Sequence, residues 1–262
     1  MTDMPAVVDA AWVQERLADP DLVLGDVRGP NAHTRGHIPG SIPLVLGSPM
    51  PLADPDAVVE LAREVGLRLR RHGITGAERL VLYDRGDGVG AMPSAQLAEL
   101  AGHPRVAVLL GGLAAWPGEL EEGPAELEPV KTKLEPRPRA LPTYAELVSR
   151  LDDPALTILD VRREEEYTGN RGNACDPRQG HIPGAKRVQV DTLFAPEGGL
   201  LAVERIRELV GAPEGAEVVA YCHSGSRSAL ATLALRAAGY DARNYAGSWH
   251  EWSRHPELPL ER

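Results

Sequence analysis

Cysteine is scarce in this chain: two occur in 262 residues. That excludes a disulfide framework and makes a reducing cytoplasm the default compartment. Long apolar runs are missing too, and nothing approaches the ~18 residues of a membrane span. The first residues, MTDMPAVVDAAWVQ, lack a basic stretch followed by an apolar core, so no secretory signal is expected. Positive charge is in deficit, with 28 Lys and Arg against 38 Asp and Glu, a formal charge of −10. Such a balance argues against nucleic acid or an anionic membrane surface as a main partner. What is present is ordinary for a soluble globular protein, 43% apolar and 25% charged residues. The length suits two domains of ~100–130 residues, each able to bury a core.

The chain says nearly the same thing twice. Residues 22–44 read LVLGDVRGPNAHTRGHIPGSIPL, and residues 156–190 read LTILDVRREEEYTGNRGNACDPRQGHIPGAKRVQV. Both carry an apolar run, Asp-Val-Arg, then Gly-His-Ile-Pro-Gly. The interval is 11 residues from Asp26 to His37 and 21 from Asp160 to His181, so the second copy holds an insertion. RLVLYD (79–84) parallels EVVAYC (217–222), AMPSAQLAELAG parallels SALATLALRAAG, RVAVLL parallels DARNYA, and GGLAAW parallels GSWHEW. The period, near 135 residues, is too long for a solenoid. Residues 121–140, rich in Pro, Glu and Lys, read as a connector. The expected organisation is a domain over 1–123, a linker over 124–140 and a second domain over 141–262.

Short apolar runs alternate with helical segments in each copy. Thr143 and Glu146 have capping-box spacing and open a helix to about Arg150. LTILDV and EVVAYC read as buried strands, VERIREL (203–209) as a helix, and a further helix runs from Ser226 to Ala238, ended by Gly239. The fold class is α/β: in each half, a parallel sheet flanked by helices. Ligands of such sheets sit at the carboxyl ends of strands, where Asp160, Arg162 and Cys222 fall.

The loop Cys222-His223-Ser224-Gly225-Ser226-Arg227 joins a strand to a helix start. The first helical turn offers unpaired N–H groups and partial positive charge, and small residues let the chain curl. A cysteine thiol, ordinarily near pKa ~8.5, falls to about 3.5–7.5 in such settings. Arg227 adds a bidentate fork for an oxyanion. A buried, inert cysteine would want apolar neighbours, and this turn is polar. Cys175, among Asn, Asp and Arg in the insertion, reads as a passive thiol. In the first copy the same loop is Asp84-Arg85-Gly86-Asp87-Gly88-Val89, with a carboxylate at the cysteine position and Val89 at the arginine position, so that half should lack the chemistry. His37 and His181 read as histidines that hold turns by hydrogen bonds. His33 and His37 are four apart but have no third ligand nearby, and nothing points to a metal or organic cofactor.

Tandem Asp-Val-Arg, paired Gly-His-Ile-Pro-Gly turns, a cysteine loop in the second half only and the closing Gly-Ser-Trp-His-Glu-Trp resemble the two-domain rhodaneses, the thiosulfate and 3-mercaptopyruvate sulfurtransferases. The resemblance covers nearly the whole chain and implies two tandem rhodanese-like domains. It implies that Cys222 carries sulfur as a persulfide, from a small anionic donor to a thiophilic acceptor such as cyanide or a thiol, by ping-pong kinetics. The N–H groups of residues 223–227 would hold the persulfide, Ser226 would support the loop, Arg227 would bind the donor or leaving group, and Asp160 and Arg162 would brace the site.

The chain departs from the family where an arginine often precedes the aromatic residue after Asp-x-Arg: here Glu166 precedes Tyr167, and Arg163, Arg171, Arg178 or Lys186 are the candidate substitutes. His223 and Arg227 point to thiosulfate as donor, Ser224-Gly225 to mercaptopyruvate. The main reading is thiosulfate sulfurtransferase, with 3-mercaptopyruvate sulfurtransferase the alternative. Related phosphatases use Cys-x₅-Arg, whereas four residues separate Cys222 from Arg227, a smaller loop suited to one sulfur atom. A non-catalytic module of the same fold is disfavoured by retention of both Cys222 and Arg227.

Overall fold

A computed structural model describes residues 4–47, 55–86, 88, 90–125, 128–131, 134–195 and 199–262. The chain divides into two compact units, the first Met1–Pro49 with Val58–Arg139, the second Met50–Ala57 with Ala140–Arg262. The strands of the first are β1 (Val7–Val8), β2 (Leu22–Asp26), β3 (Ile42–Pro43), β4 (Arg79–Tyr83) and β5 (Val106–Leu109), in the order β1-β5-β4-β2-β3. Those of the second are β6 (Leu156–Asp160), β7 (Lys186–Arg187), β8 (Glu217–Tyr221) and β9 (Asp241–Asn244), in the order β7-β6-β8-β9. Every pairing between these strands is parallel. The helices are α1 (Ala10–Arg16), α2 (Pro30–Thr34), α3 (Pro55–Arg71), α4 (Ala91–Leu100), α5 (Tyr144–Ser149), α6 (Glu164–Tyr167), α7 (Val203–Val210), α8 (Ser226–Ala237) and α9 (Ser248–Trp252).

The duplication read in the sequence is a duplication of pairing. Leu22 to Asp26 pair in register with Arg79 to Tyr83, and Leu156 to Asp160 with Glu217 to Tyr221. Successive strand residues point to opposite faces. In the second unit Leu159, Val218, Ala220 and Cys222 join one buried cluster with Ile206 and Leu235, while Ile158, Val219 and Tyr221 join another with Trp249 and Trp252. Both sheet faces are thus covered, as a parallel sheet requires. Cys222 continues the phase of Val218 and Ala220 and so points toward α8 rather than toward the tryptophans.

Local signals did what their chemistry predicts. The Thr143 hydroxyl accepts the Glu146 N–H at 3.2 Å and caps α5. The Glu146 carboxylate does not reach back to close the box; it pairs with Arg243 at 2.6 Å. Gly211 ends α7 in the left-handed conformation, with φ 63°. The expected connector at 124–140 is counted, through Arg139, with the first unit. Its backbone is tied there, Val130 N–H to Arg70 O at 3.0 Å and Arg137 N–H to Leu100 O at 2.8 Å.

Candidate active site

Strand β8 ends one residue before Cys222, which is 1% exposed. Its sulfur accepts the Gly225 N–H at 3.1 Å and the Ser228 hydroxyl at 3.4 Å, and the Ser248 hydroxyl stands 3.9 Å away. Gly225 adopts φ 91°, and a Cβ there would lie 2.6 Å from the Ala246 carbonyl oxygen, so the turn demands glycine. The sulfur therefore sits at the N-terminal end of the 12-residue helix α8, where the dipole favours an anion.

The start of α9 is stitched to this loop. Trp249 N–H donates to Cys222 O at 3.0 Å and His250 N–H to His223 O at 2.9 Å. The Ser248 hydroxyl accepts the Cys222 N–H at 3.1 Å and donates to Tyr245 O at 2.8 Å. Ser248 has φ 55° and is the non-glycine residue with positive φ among the described residues. Such a conformation costs about 1–3 kcal/mol and persists where surrounding structure imposes it.

Ser226, expected to support the loop, is exposed at the first helical position, while the hydroxyls near the sulfur belong to buried Ser228 and Ser248. Ser224 is exposed and His223 half-buried.

Arg227 is not a free fork. Its two terminal nitrogens each donate to one oxygen of Glu166 at 2.8 Å. Glu166 also accepts the Arg163 N–H at 3.1 Å, which anchors α6. Burial works to raise the Glu166 pKa, but Arg227 and the Arg163 N–H outweigh it and hold the carboxyl below its ordinary value. The carboxylate that stands where the family often has an arginine thus pairs with the arginine expected to bind the donor. Among the candidate substitutes, Arg178 donates to the carbonyls of Ser253, Leu258, Trp252 and His255 and so fastens the C-terminal segment. Lys186 donates to Gly211 O at 3.3 Å, and Arg163 and Arg171 are exposed.

Asp160 and Arg162 form a buried pair. The Arg162 guanidinium, 1% exposed, binds both Asp160 oxygens, at 2.6 Å for the closest contact, and donates to Gly180 O at 2.7 Å. It lies over the Trp249 and Tyr221 rings. The first unit repeats the device: Arg28 binds Asp26 at 2.6 Å and Gly36 O at 2.7 Å. The pairing is thus common to the cysteine half and the aspartate half. The glycine-flanked histidines behave alike as well. His37 Nδ1 bonds His33 O and His181 Nδ1 bonds Tyr167 O, each at 2.9 Å, and each ring stacks on a neighbour, His33 or Tyr167.

In the first unit the Asp84 carboxylate occupies the place of the thiol. One oxygen accepts the N–H groups of Gly86 and Gly88 at 2.9 and 3.3 Å, the other those of Gly90 and Ala91 at 3.0 and 3.1 Å. Asp87 and Val89 of this loop lie outside the described residues.

Cys175, read from the sequence as a passive thiol, has close neighbours. It stands beside Asp176, His223 and His250, whose ligating atoms and its own lie within 4.8 Å of one another. Neither Asp176 nor His250 was singled out from the sequence. Ser248 did leave a signal there: it aligns with Gly112, φ 48°, so a serine holds a conformation for which the other copy uses glycine.

Comparison with known proteins accords with this geometry. A model of the rhodanese-like domain matches residues 9–119 and 143–255. The chain is 33% identical to a thiosulfate sulfurtransferase of Azotobacter vinelandii, over 98% of this chain and 97% of that one. It is 28% identical to the 3-mercaptopyruvate sulfurtransferase of Escherichia coli K12, over 97% of each. The crystal structure of SseA from Escherichia coli superposes with a TM-score of 0.71 at 25% identity, covering 94% of this chain and 99% of that one. With both halves matched and both sheets built alike, the chain belongs to the rhodanese family, as two rhodanese-like domains in tandem.

Proposed function

We propose that this chain is a thiosulfate sulfurtransferase in which Cys222 carries the sulfur. The observation that carries the reading is the buried Cys222 sulfur at the head of α8, receiving the Gly225 N–H and the Ser228 hydroxyl. These donors stabilise a thiolate. The thiolate attacks the outer sulfur of thiosulfate; the new S–S bond forms as the old one breaks, and sulfite leaves with the electron pair. Cyanide or a thiol then attacks the outer sulfur of the persulfide, and Cys222 is released as thiolate. The N–H groups of His223, Ser224, Gly225, Ser226 and Arg227 cradle the added sulfur, Arg227 faces the anionic donor, and Asp160 with Arg162 braces the strand end. The first domain, 1–123 by our sequence division, is inactive because the Asp84 carboxylate cannot carry sulfur. Both cysteines are free thiols, which suits a reducing cytoplasm and a carrier that must return to the thiol after each turnover.

One observation favours the second reading, 3-mercaptopyruvate as donor. Glu166 takes both terminal nitrogens of Arg227, which weakens the attraction for a doubly charged donor more than for a singly charged carboxylate. With that donor the Cys222–sulfur bond forms as the carbon–sulfur bond breaks, and the electron pair leaves on carbon as pyruvate enolate, which takes a proton from solvent to give pyruvate. Incubation with each donor, followed by intact mass, tests the site: the mass should rise by one sulfur atom and return on adding cyanide. Survival of the increment in Cys222→Ala would refute the assignment. The ratio of kcat/KM for the two donors decides between the readings.

A further inference from the structure

We infer that Cys175, Asp176, His223 and His250 form a closed binding site for a divalent, zinc-like cation. The four come from separate parts of the second unit: Cys175 and Asp176 from the insertion that the first half lacks, His223 from the residue after Cys222, and His250 from α9. Their ligating atoms converge. Cys175 Sγ lies 3.6 Å from His250 Nδ1, 3.8 Å from His223 Nε2 and 3.7 Å from Asp176 Oδ1. Asp176 Oδ1 lies 3.1 Å from His250 Nδ1, and its Oδ2 lies 3.2 Å from His223 Nε2. Zinc bonds of about 2.0–2.3 Å in a tetrahedron set ligand atoms roughly 3.3–3.7 Å apart, close to the separations here. The two imidazoles meet edge to face, at 78°, with ring centroids 5.3 Å apart.

A second observation points the same way. The Asp176 side chain is 1% exposed, and its buried Oδ2, although 3.2 Å from His223 Nε2, receives no aligned hydrogen bond. A buried carboxylate oxygen left so is costly, and a cation would satisfy it. The surroundings hold the ligands in place. Arg254 donates to Asp176 Oδ1 at 3.4 Å and to Cys175 O at 2.8 Å, and Gln179 donates to Asp176 O at 3.1 Å. The Arg254 charge opposes a cation, but its contact is with Oδ1 at 3.4 Å, and Oδ2 lies on the His223 side. One thiolate, two imidazoles and one carboxylate make a borderline-soft, four-protein-ligand set, the pattern of a structural zinc site rather than a catalytic one. Binding takes Cys175 as thiolate, its proton passing to solvent. The ion would tie the insertion and α9 to the residue next to the sulfur carrier. This site is independent of the sulfur-transfer reading.

The experiment uses the full chain freed of metal by a chelator, then titrated with Co²⁺ and with Zn²⁺ alone. Equimolar uptake is expected, with a thiolate-to-cobalt charge-transfer band and the intense visible bands of a tetrahedral site. Zn²⁺ should displace them. Cys175→Ser, at an exposed position, should lose the charge-transfer band, and His250→Gln should weaken zinc binding at least about tenfold. Cys222→Ala should keep band and stoichiometry. Absence of the band in the native chain, its survival in Cys175→Ser, or its loss in Cys222→Ala would each overturn the proposal, the last by assigning the metal to the sulfur-carrying thiol.

Discussion

The two halves offer the same loop with different tenants. In the first, the Asp84 carboxylate draws four backbone N–H groups of the described residues onto its two oxygens. In the second, the Cys222 sulfur takes one N–H and the Ser228 hydroxyl, with the Ser248 hydroxyl 3.9 Å away. The stitching beneath them is shared: Leu113 N–H to Asp84 O and Ala114 N–H to Arg85 O repeat Trp249 to Cys222 and His250 to His223. The difference teaches that the anion cradle belongs to the strand–turn–helix backbone, and that the residue at the strand end decides its use. A carboxylate brings two oxygens and fills the cradle permanently. A thiol brings one sulfur, and on the proposed reading the second sulfur of a persulfide takes the remaining place.

The comparison can be broken first by exchange. Cys222→Asp should reduce sulfur transfer to the uncatalysed background while the melting temperature holds, because a carboxylate satisfies this backbone in the other half. Asp84→Ala should leave the activity-bearing loop untouched yet destabilise the first unit by at least about 3 kcal/mol, since buried N–H groups lose their acceptor. Thermal unfolding alongside a thiocyanate assay reads both. A Cys222→Asp chain that unfolds as readily as Asp84→Ala would show that the two cradles are not equivalent.

The shared Asp-x-Arg device comes next. Removing one member of a buried ion pair costs about 3–5 kcal/mol. Arg162→Ala and Arg28→Ala should each destabilise on that scale, with Arg162 the larger because its side chain is 1% exposed against 15% for Arg28. Denaturant titration checks this. A large loss of activity in Arg162→Ala without loss of stability would instead place Arg162 against the substrate.

A smaller effect separates Ser248 from Gly112. Ser248→Gly relieves the cost of φ 55° and removes the hydroxyl from the Cys222 N–H and sulfur. Stability should change little while kcat falls about tenfold, one hydrogen bond's worth. Equal losses in kcat and stability would make Ser248 a packing residue only.

Much of this molecule was legible because its signals are local. Strand ends, the Gly225 turn and the Thr143 cap are each set by a few adjacent residues, and repetition doubled the strand ends. What escaped depends on helix phase or on distance along the chain. Ser226 and Ser228 are two residues apart, and which one faces the sulfur follows from where α8 begins, a boundary that pattern alone leaves loose. Glu166 and Arg227 meet across 61 residues, and Cys175 and His250 across 75. Side-chain chemistry announces that such groups need partners, but only the parallel sheet determines which loops share an edge.

The Glu166–Arg227 pair yields the smallest effect, and two readouts should move in opposite directions. The pair is half-buried, with 18% and 35% of the side chains exposed, so its contribution to stability is near 1 kcal/mol, or roughly 2–4 °C in melting temperature for a chain of this size. Glu166→Gln should melt lower by that amount at neutral pH. Because burial opposes ionisation but Arg227 and the Arg163 N–H prevail, the Glu166 carboxyl titrates below its ordinary value of 4.5. The native contribution is therefore complete above the ordinary glutamate range and lost as pH falls through the lowered value, so the melting difference should close in acid. Activity should shift the other way: with its fork released, Arg227 attracts anions better, and KM for thiosulfate should fall about tenfold, a gain of about 1.4 kcal/mol. A smaller fall is expected for mercaptopyruvate, which carries less charge. If both donors bind no better in Glu166→Gln, the Arg227 fork does not meet the donor, and the selectivity between the two half-loops must lie in the cradle alone.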